Sequence, residues 1–180
     1  GLFAWGVLKL PLLESFLLGS VISSTDAASV FSILRSRRLS LKDGTASLLE
    51  VESGSNDPFS YMLTIIVLSL MSGEAQSGGG FAWQVIAQLA FGLAFGFGIA
   101  MASLIFLRRF RFTTAGFDSI FMTAVALLSY AAPTLLGGNG YLSVYITGIV
   151  LGNYPIGNKR ALVDFFDGAT SLMQMVLFFL

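Results

Sequence analysis

Two polar clusters inside apolar segments are the places where this chain could do chemistry. Residues 50–57 read EVESGSND and are followed by Pro58, and residues 23–29 read SSTDAAS. Each cluster lies in a segment long enough to cross a bilayer. Ionisable groups in such segments are costly unless they face each other or a water-filled cavity. The sequence therefore predicts that Asp26 and Asp57 approach each other near the membrane midplane.

The residue types in these clusters are suited to a site where a small cation and a proton compete. Pro58 has no N–H, so the carbonyl of Gly54 loses its helical partner. Residues 23–26 favour caps over helix interiors, which predicts a broken helix near Thr25 and further free carbonyls. A cation and a proton sharing the carboxylate of Asp57 would exclude each other. One such carboxylate predicts electroneutral exchange, because the neighbouring Asn56 does not titrate.

Simpler structural roles are open for the same acids. Glu50 lies at the mouth of its segment, where a solvated charge at a helix start is expected. Asp26 could cap a half-helix whose break serves packing. Asp57 could be a buried acid satisfied by neighbouring Ser and Asn side chains. The functional interpretation is preferred for Asp26 and Asp57, since acids inside membrane segments usually mark ion or proton pathways.

The composition is that of a membrane protein. The chain has 180 residues, of which 55% are hydrophobic and 11% charged, with a mean hydropathy of +0.81. Soluble domains carry about 25% charged residues. Cysteine and histidine are absent, which excludes a disulfide framework or thiolate metal site and removes the usual general base. Both termini lie in apolar runs, so we expect residues 1–180 to be part of one larger transmembrane transport domain.

Hydropathy predicts an all-α polytopic membrane protein with broken helices and about six spans. Gly92, Gly96 and Ala100 recur at four-residue spacing, which predicts a face for close helix packing. The predicted spans, the last of them truncated, are 12–34, 48–71, 83–107, 117–136, 141–157 and 169–180.

Charge distribution predicts the orientation of these spans. Nine of the ten Lys and Arg residues lie in three alternate connections, 35–47, 108–116 and 155–168. Cytoplasmic loops are the ones enriched in Lys and Arg. These three connections are therefore predicted to be cytoplasmic, and the two between them, which have no Lys or Arg, to face outward.

The two clusters resemble the motifs of the monovalent cation:proton antiporter superfamily, specifically its electroneutral Na+/H+ and K+/H+ exchangers. SSTDAASVFSIL is similar to the Thr-Asp motif of an unwound helix in that family, and ESGSNDP to its Glu-Ser-x-x-Asn-Asp motif. Two later segments, LGNYPIGNKR and FFDGATSLMQMVLFFL, look most like the bacterial potassium/proton antiporter branch. Together these motifs are spread over most of the length of the chain.

The resemblance implies an inverted-repeat fold in a bacterial inner membrane, usually as a homodimer. It implies that Asp57 carries the cation and the proton, with Ser53 and the Thr25 backbone as further cation ligands. Asp26 and Asn56 would hold the broken helices in place. Glu52 would form an ion pair with an Arg outside residues 1–180.

No cofactor is implied beyond the transported K+ or Na+ and H+. The implied partner is the lipid bilayer, with no nucleic acid, and a regulatory cytoplasmic domain could lie outside this chain.

Three alternatives were weighed against K+/H+ exchange. A Na+-selective exchanger would use the same site, because selectivity depends on cavity size. A passive cation channel is disfavoured by one asymmetric acidic cluster without a filter-like run. An intramembrane aspartic protease would need two coupled acids, but the expected Gly-flanked Asp motif is missing. The chain is therefore predicted not to be an enzyme.

Overall fold

The computed structural model describes residues 1–25, 30, 33–34, 41–73, 78–110 and 116–179. Throughout these ranges the regular structure is helical, and no strand occurs in them. The α-helices whose bounds the structure describes are α1 (Leu2–Gly6), α2 (Leu12–Val21), α3 (Thr45–Met71), α4 (Gly78–Arg109), α5 (Phe117–Leu135), α6 (Gly140–Asn153) and α7 (Lys159–Phe179). A short 3₁₀ helix, Lys42–Gly44, directly precedes α3.

The first predicted span, 12–34, is interrupted. Helix α2 follows Pro11, whose φ of −50° suits the position before a helix. It ends at Val21, Ser24 and Thr25 are not helical, and helix is present again at Val30. The predicted break therefore occurs, and it begins before Thr25. Asp26 lies outside the described residues.

Helix α3 carries the second polar cluster and is continuous through Pro58. It has 27 residues and starts after Gly44, whose φ of 72° is left-handed. Gly adopts that conformation without the steric cost a side chain would meet. Pro58 lies inside this helix, which packs against α2 and α6.

Close packing of α4 against α6 forms the centre of the bundle. A Cβ atom at Gly96 would lie 2.9 Å from the backbone oxygen of Ser143 and 2.9 Å from Cβ of Ile146. A Cβ at Gly92 would lie 3.0 Å from the backbone oxygen of Asn139. Ala100, the third small residue, is fully buried. The small face predicted on this helix is confirmed.

Three buried hydroxyl groups reinforce this packing. The Oγ of Ser129 on α5 lies 3.0 Å from Oγ of Ser143 and 2.7 Å from Oγ1 of Thr147, both on α6. Thr147 donates in turn to the backbone oxygen of Gly96 at 3.0 Å. Buried hydroxyls are costly unless hydrogen-bonded, so this cluster specifies how α4, α5 and α6 fit together.

Several predicted boundaries differ from the helices. The connection predicted at 155–168 is helical from Lys159, so α7 starts well before residue 169. Helices α3 and α4 likewise extend into the predicted connections 35–47 and 108–116. Helix α6 ends at Asn153, short of residue 157, because Tyr154 is extended before Pro155, which cannot continue a helix. The other helices exceed the predicted spans because hydropathy marks only the apolar part of a helix, whereas backbone hydrogen bonding continues past it.

Three of the described helices are long and apolar enough to cross a membrane: Gly80–Arg109, Phe117–Leu135 and Lys159–Phe179. The other predicted spans fall short for identifiable reasons. Helix α2 is interrupted by the break, α6 has 14 residues, and the polar cluster lowers the hydropathy of α3. These features are expected of helices that build a site inside a transport domain. The count of six spans stays a prediction.

The connections after α4 and α6 meet at one end of the bundle. The guanidinium carbon of Arg108 lies 5.6 Å from the ring centroid of Tyr154. Asn158 donates to Oδ2 of Asp118 at 2.9 Å, beside a cleft of about 520 Å³. Two of the three basic connections are therefore on the same side, as an alternating topology requires.

The α4–α6 packing predicts opposite outcomes at two glycines of α4. Gly96→Ala should destabilise the protein by about 1–3 kcal/mol, because the added methyl group overpacks the interface. Gly98→Ala is the matched control, since no atom lies within 4 Å of its Cβ position, and it should be neutral or stabilising. Thermal unfolding of the detergent-solubilised full-length protein measures both. Equal melting temperatures for the two variants would contradict the packing described.

Candidate cation and proton site

The two polar clusters meet between the broken segment and α3. Ser24 donates from Oγ to Oδ1 of Asp57. Ser53 donates from Oγ to the backbone oxygen of Thr25 at 2.7 Å. Thr25 lies outside the described helices, and Ser53 of α3 supplies a donor to its carbonyl. The structure thus brings Thr25, Ser53 and Asp57, the three predicted cation ligands, into one neighbourhood.

The hydroxyl of Thr25 connects a second pair of α3 residues. It donates to Oε1 of Glu52 at 3.1 Å and accepts from Nδ2 of Asn56. Asn56 also donates to Oε1 of Glu52 at 3.2 Å, as the four-residue spacing on one helix face allows. Among the described residues, Glu52 therefore accepts from two neutral donors, Thr25 of the broken segment and Asn56 of its own helix. Its ion pair with an Arg beyond residue 180 stays a prediction.

The oxygen atoms at this site suit a hard monovalent cation. Oδ1 of Asn56 is buried and accepts no hydrogen bond from the described part of the chain. Such an acceptor calls for a further partner, a water or an ion. Near it are a carboxylate, hydroxyls and a backbone carbonyl. No group of three or more His, Cys, Asp or Glu side chains occurs among the described residues, so their donor set is not that of a transition-metal centre.

Access differs between the site residues. Glu52 and Asp57 are exposed on the surface of this chain, whereas Ser53 and Asn56 are half-buried. Asp57 is thus held by Ser24 on one side and is accessible on the other. This arrangement allows an ion to reach the carboxylate without unfolding the segment that positions it.

Helix α3 is also anchored by contacts that the sequence did not predict. Ser60 donates to the backbone oxygen of Ser20, in the last turn of α2, at 2.6 Å. Tyr145 on α6 donates to the backbone oxygen of Val51 at 3.2 Å. Its ring also covers Gly54, where a Cβ atom would lie 2.7 Å from Cε2 of Tyr145. No spacing rule within α3 indicates these partners, which come from separate helices.

Asn139 makes the third unpredicted contact with α3. Its Nδ2 donates to the backbone oxygen of Pro58 at 2.7 Å. Its Oδ1 accepts from the backbone N–H of Leu142 at 3.0 Å and caps α6. An Asn just before a helical segment is a recognisable N-cap signal. That signal could have located the cap but not the contact with Pro58.

A sequence model of the transmembrane sodium/hydrogen exchanger family matches residues 1–180. The K(+)/H(+) antiporter NhaP of Alkalimonas amylolytica is 36% identical over 178 residues, covering 99% of this chain and 31% of that protein. The K(+)/H(+) antiporter NhaP2 of Shewanella baltica (strain OS223) is 34% identical over 180 residues, covering 99% of this chain and 31% of that protein.

The low-affinity Na(+)/H(+) antiporter NhaS1 of a Synechocystis strain is 27% identical over 155 residues, covering 83% of this chain and 28% of that protein. The chain therefore spans less than a third of the length of each of these relatives. No solved structure matches the chain.

The hydrogen bonds of Thr25 predict that its hydroxyl group, and not only the shape of its side chain, stabilises the protein. Thr25→Val keeps the shape and removes the hydroxyl, leaving Glu52 and Asn56 short of a partner. We expect a loss of about 0.5–1.5 kcal/mol, the net contribution of a typical hydrogen bond. Thr25→Ser keeps the hydroxyl and is the control. Melting temperatures of the full-length protein test this, and equal values for Val and Ser variants would refute the role of the hydroxyl.

Proposed function

Because the chain belongs to the sodium/hydrogen exchanger family, we propose that the full protein is a secondary antiporter that exchanges a monovalent cation for a proton. Exchange is electroneutral, with one cation and one proton competing for the carboxylate of Asp57. Ser53, Asn56 and the backbone oxygen of Thr25 supply further oxygen ligands. The protein needs no cofactor and is a transporter, not an enzyme.

The observation that carries this proposal is the contact between Asp57 and the broken segment. An acidic side chain inside a membrane segment is costly, so such a residue usually has a functional role. Here the acid is accessible, is held by the hydroxyl of Ser24, and lies near a backbone carbonyl outside any helix. A cation and a proton cannot both occupy such a cluster, because each neutralises the same carboxylate. Mutual exclusion at one site is sufficient to couple the two fluxes.

The proposed cation is K+, with Na+ as the alternative. The relatives described above at 36% and 34% identity are named as K(+)/H(+) antiporters, and the one at 27% identity as a Na(+)/H(+) antiporter. The ligand chemistry is common to both ions. A passive channel would instead pass current through a continuous pore without proton movement, and the test below includes that outcome.

Under this proposal, the protein crosses a bacterial inner membrane several times and assembles as a homodimer. The connections after α4 and α6 would face the cytoplasm, together with residues 35–47. Support comes from the Lys and Arg excess in these connections. Asp26, next to the break, would hold the two half-helices in place. A regulatory cytoplasmic domain would lie outside residues 1–180.

The Asp57 proposal is tested with the full-length protein in sealed proteoliposomes. A proton-sensitive dye reports proton movement after K+ or Na+ is added, with the membrane potential clamped. Wild type should show cation-driven proton flux that the clamp leaves unchanged. Asp57→Asn should fall to the signal of protein-free vesicles, because its amide cannot exchange a proton for a cation. Glu50→Gln, which neutralises an exposed acid on the same helix, should retain the flux.

The other outcomes of that experiment are decisive. Flux that survives in Asp57→Asn would move the carrier role to Glu52 or Asp26. Cation current without proton movement would favour the channel. Absence of cation-driven proton flux in the wild type would overturn the antiporter proposal.

The orientation is tested by labelling single introduced cysteines in the full-length protein after any others have been replaced. Gly157→Cys lies between α6 and α7, and Gly73→Cys follows α3. In intact cells an impermeant maleimide should label the Cys at position 73 and spare the one at position 157, since basic connections stay inside. The reverse labelling would invert the proposed topology.

A further inference from the structure

Asn139 joins three helices at one buried point. It is 1% exposed. Its backbone N–H donates to the backbone oxygen of Gln88 on α4 at 3.1 Å. Its side chain caps α6 through Leu142 and donates to the backbone oxygen of Pro58 on α3 at 2.7 Å. The amide nitrogen of Asn139 therefore faces α3, while its amide oxygen faces α6.

The orientation of the Asn139 amide follows from its partners. A backbone N–H can only donate, so the atom facing Leu142 must be the oxygen. A backbone carbonyl can only accept, so the atom facing Pro58 must be the nitrogen. The cap on α6 thus orients the donor that reaches α3, and the two contacts are made by one rigid group.

Pro58 is the position on α3 where an outside contact matters most. Proline cannot donate to the carbonyl four residues earlier, so the turn containing Asp57 has one internal hydrogen bond fewer than its neighbours. Asp57 and Pro58 share a peptide bond, and any shift of Pro58 displaces the carboxylate relative to Ser24. An external donor on the Pro58 carbonyl restrains the weakened turn.

The connection that carries Asn139 is shaped to enter the bundle. A Cβ at Gly138 would lie 2.6 Å from Cβ of Phe91, and one at Gly140 would lie 2.6 Å from the backbone oxygen of Tyr130. Side chains at either position would push the connection outward. Glycine on both sides lets the Asn139 side chain reach Pro58 while its backbone bonds to α4.

We propose that Asn139 is a positioning residue for the Asp57 site, acting through the Pro58 carbonyl to set the affinity for the transported cation. This inference rests on the proposed function. The hydrogen bonds of the Asn139 side chain go to Leu142 and to the carbonyl of Pro58, so its effect on the site passes through the backbone of α3. A residue that only capped α6 would affect the amount of folded protein and leave cation affinity unchanged.

Asn139→Ser separates these two roles. Serine is an N-cap residue about as favourable as asparagine, so the cap on α6 is kept. Its hydroxyl is on a shorter side chain and does not extend to Pro58. Ser143→Ala is the matched control, because Ser143 is fully buried on the same helix and bonds to Ser129 of α5 rather than to α3.

The measurement is the cation dependence of proton flux by the full-length protein in proteoliposomes, normalised to folded protein from size-exclusion chromatography. Asn139→Ser should raise the KM for the cation by about threefold to tenfold, as expected for losing one hydrogen bond that preorganises a site. Its maximal rate per folded protein should stay near that of the wild type. Ser143→Ala should leave KM unchanged.

Asn139→Thr is the second variant, because threonine also caps a helix, adds no charge and has no donor that extends to Pro58. It should raise KM in the same direction. Wild-type KM in either folded variant would overturn the inference, and so would failure of both variants to fold, which would make Asn139 purely structural. Absence of exchange in the wild type is a different result, and it would overturn the proposed function instead.

Discussion

Hydrogen bonding across the break at Thr25 is the constraint on which the rest of this structure depends. Where a membrane helix is interrupted, its freed backbone groups cannot turn to lipid and must find partners in the protein. Ser53 supplies the donor for the carbonyl of Thr25, and Asn56 and Glu52 engage its hydroxyl. The residues that satisfy the break are the neighbours of Asp57 on α3. Satisfying the backbone and assembling the site are therefore one requirement.

Helix α3 can serve as one wall of the site only because α6 supports it from behind. Tyr145 packs over Gly54 and bonds to Val51, while Asn139 bonds to Pro58. Helix α6 is in turn held by the glycines of α4 and by the hydroxyl cluster shared with α5. A continuous series of close contacts thus leads from the centre of the bundle to the carboxylate. In the proposed mechanism the contacts made directly with α3 are the ones that position the ligand oxygens.

The acids of the site divide into two environments, and this division supports the proposed one-for-one exchange. Glu52 accepts hydrogen bonds from Thr25 and Asn56 and fastens the broken segment. Asp57 accepts from Ser24 and remains accessible. Asn56 contributes a neutral amide whose oxygen has no described partner. In the proposed mechanism Glu52 keeps its structural contacts, while Asp57 would alternate between binding a cation and binding a proton.

By itself the sequence determined the features that depend on local chemistry: the membrane class, the break after α2, the small face of α4 and the polar clusters. Each follows from hydropathy, propensity or spacing along one segment. Helix ends such as Lys159 could not be predicted, because helices continue into water beyond their apolar part. Only the tertiary structure decided the contacts of Asn139, Tyr145 and Ser60 with α3. These join residues far apart in the chain, and their pairing depends on how the helices pack.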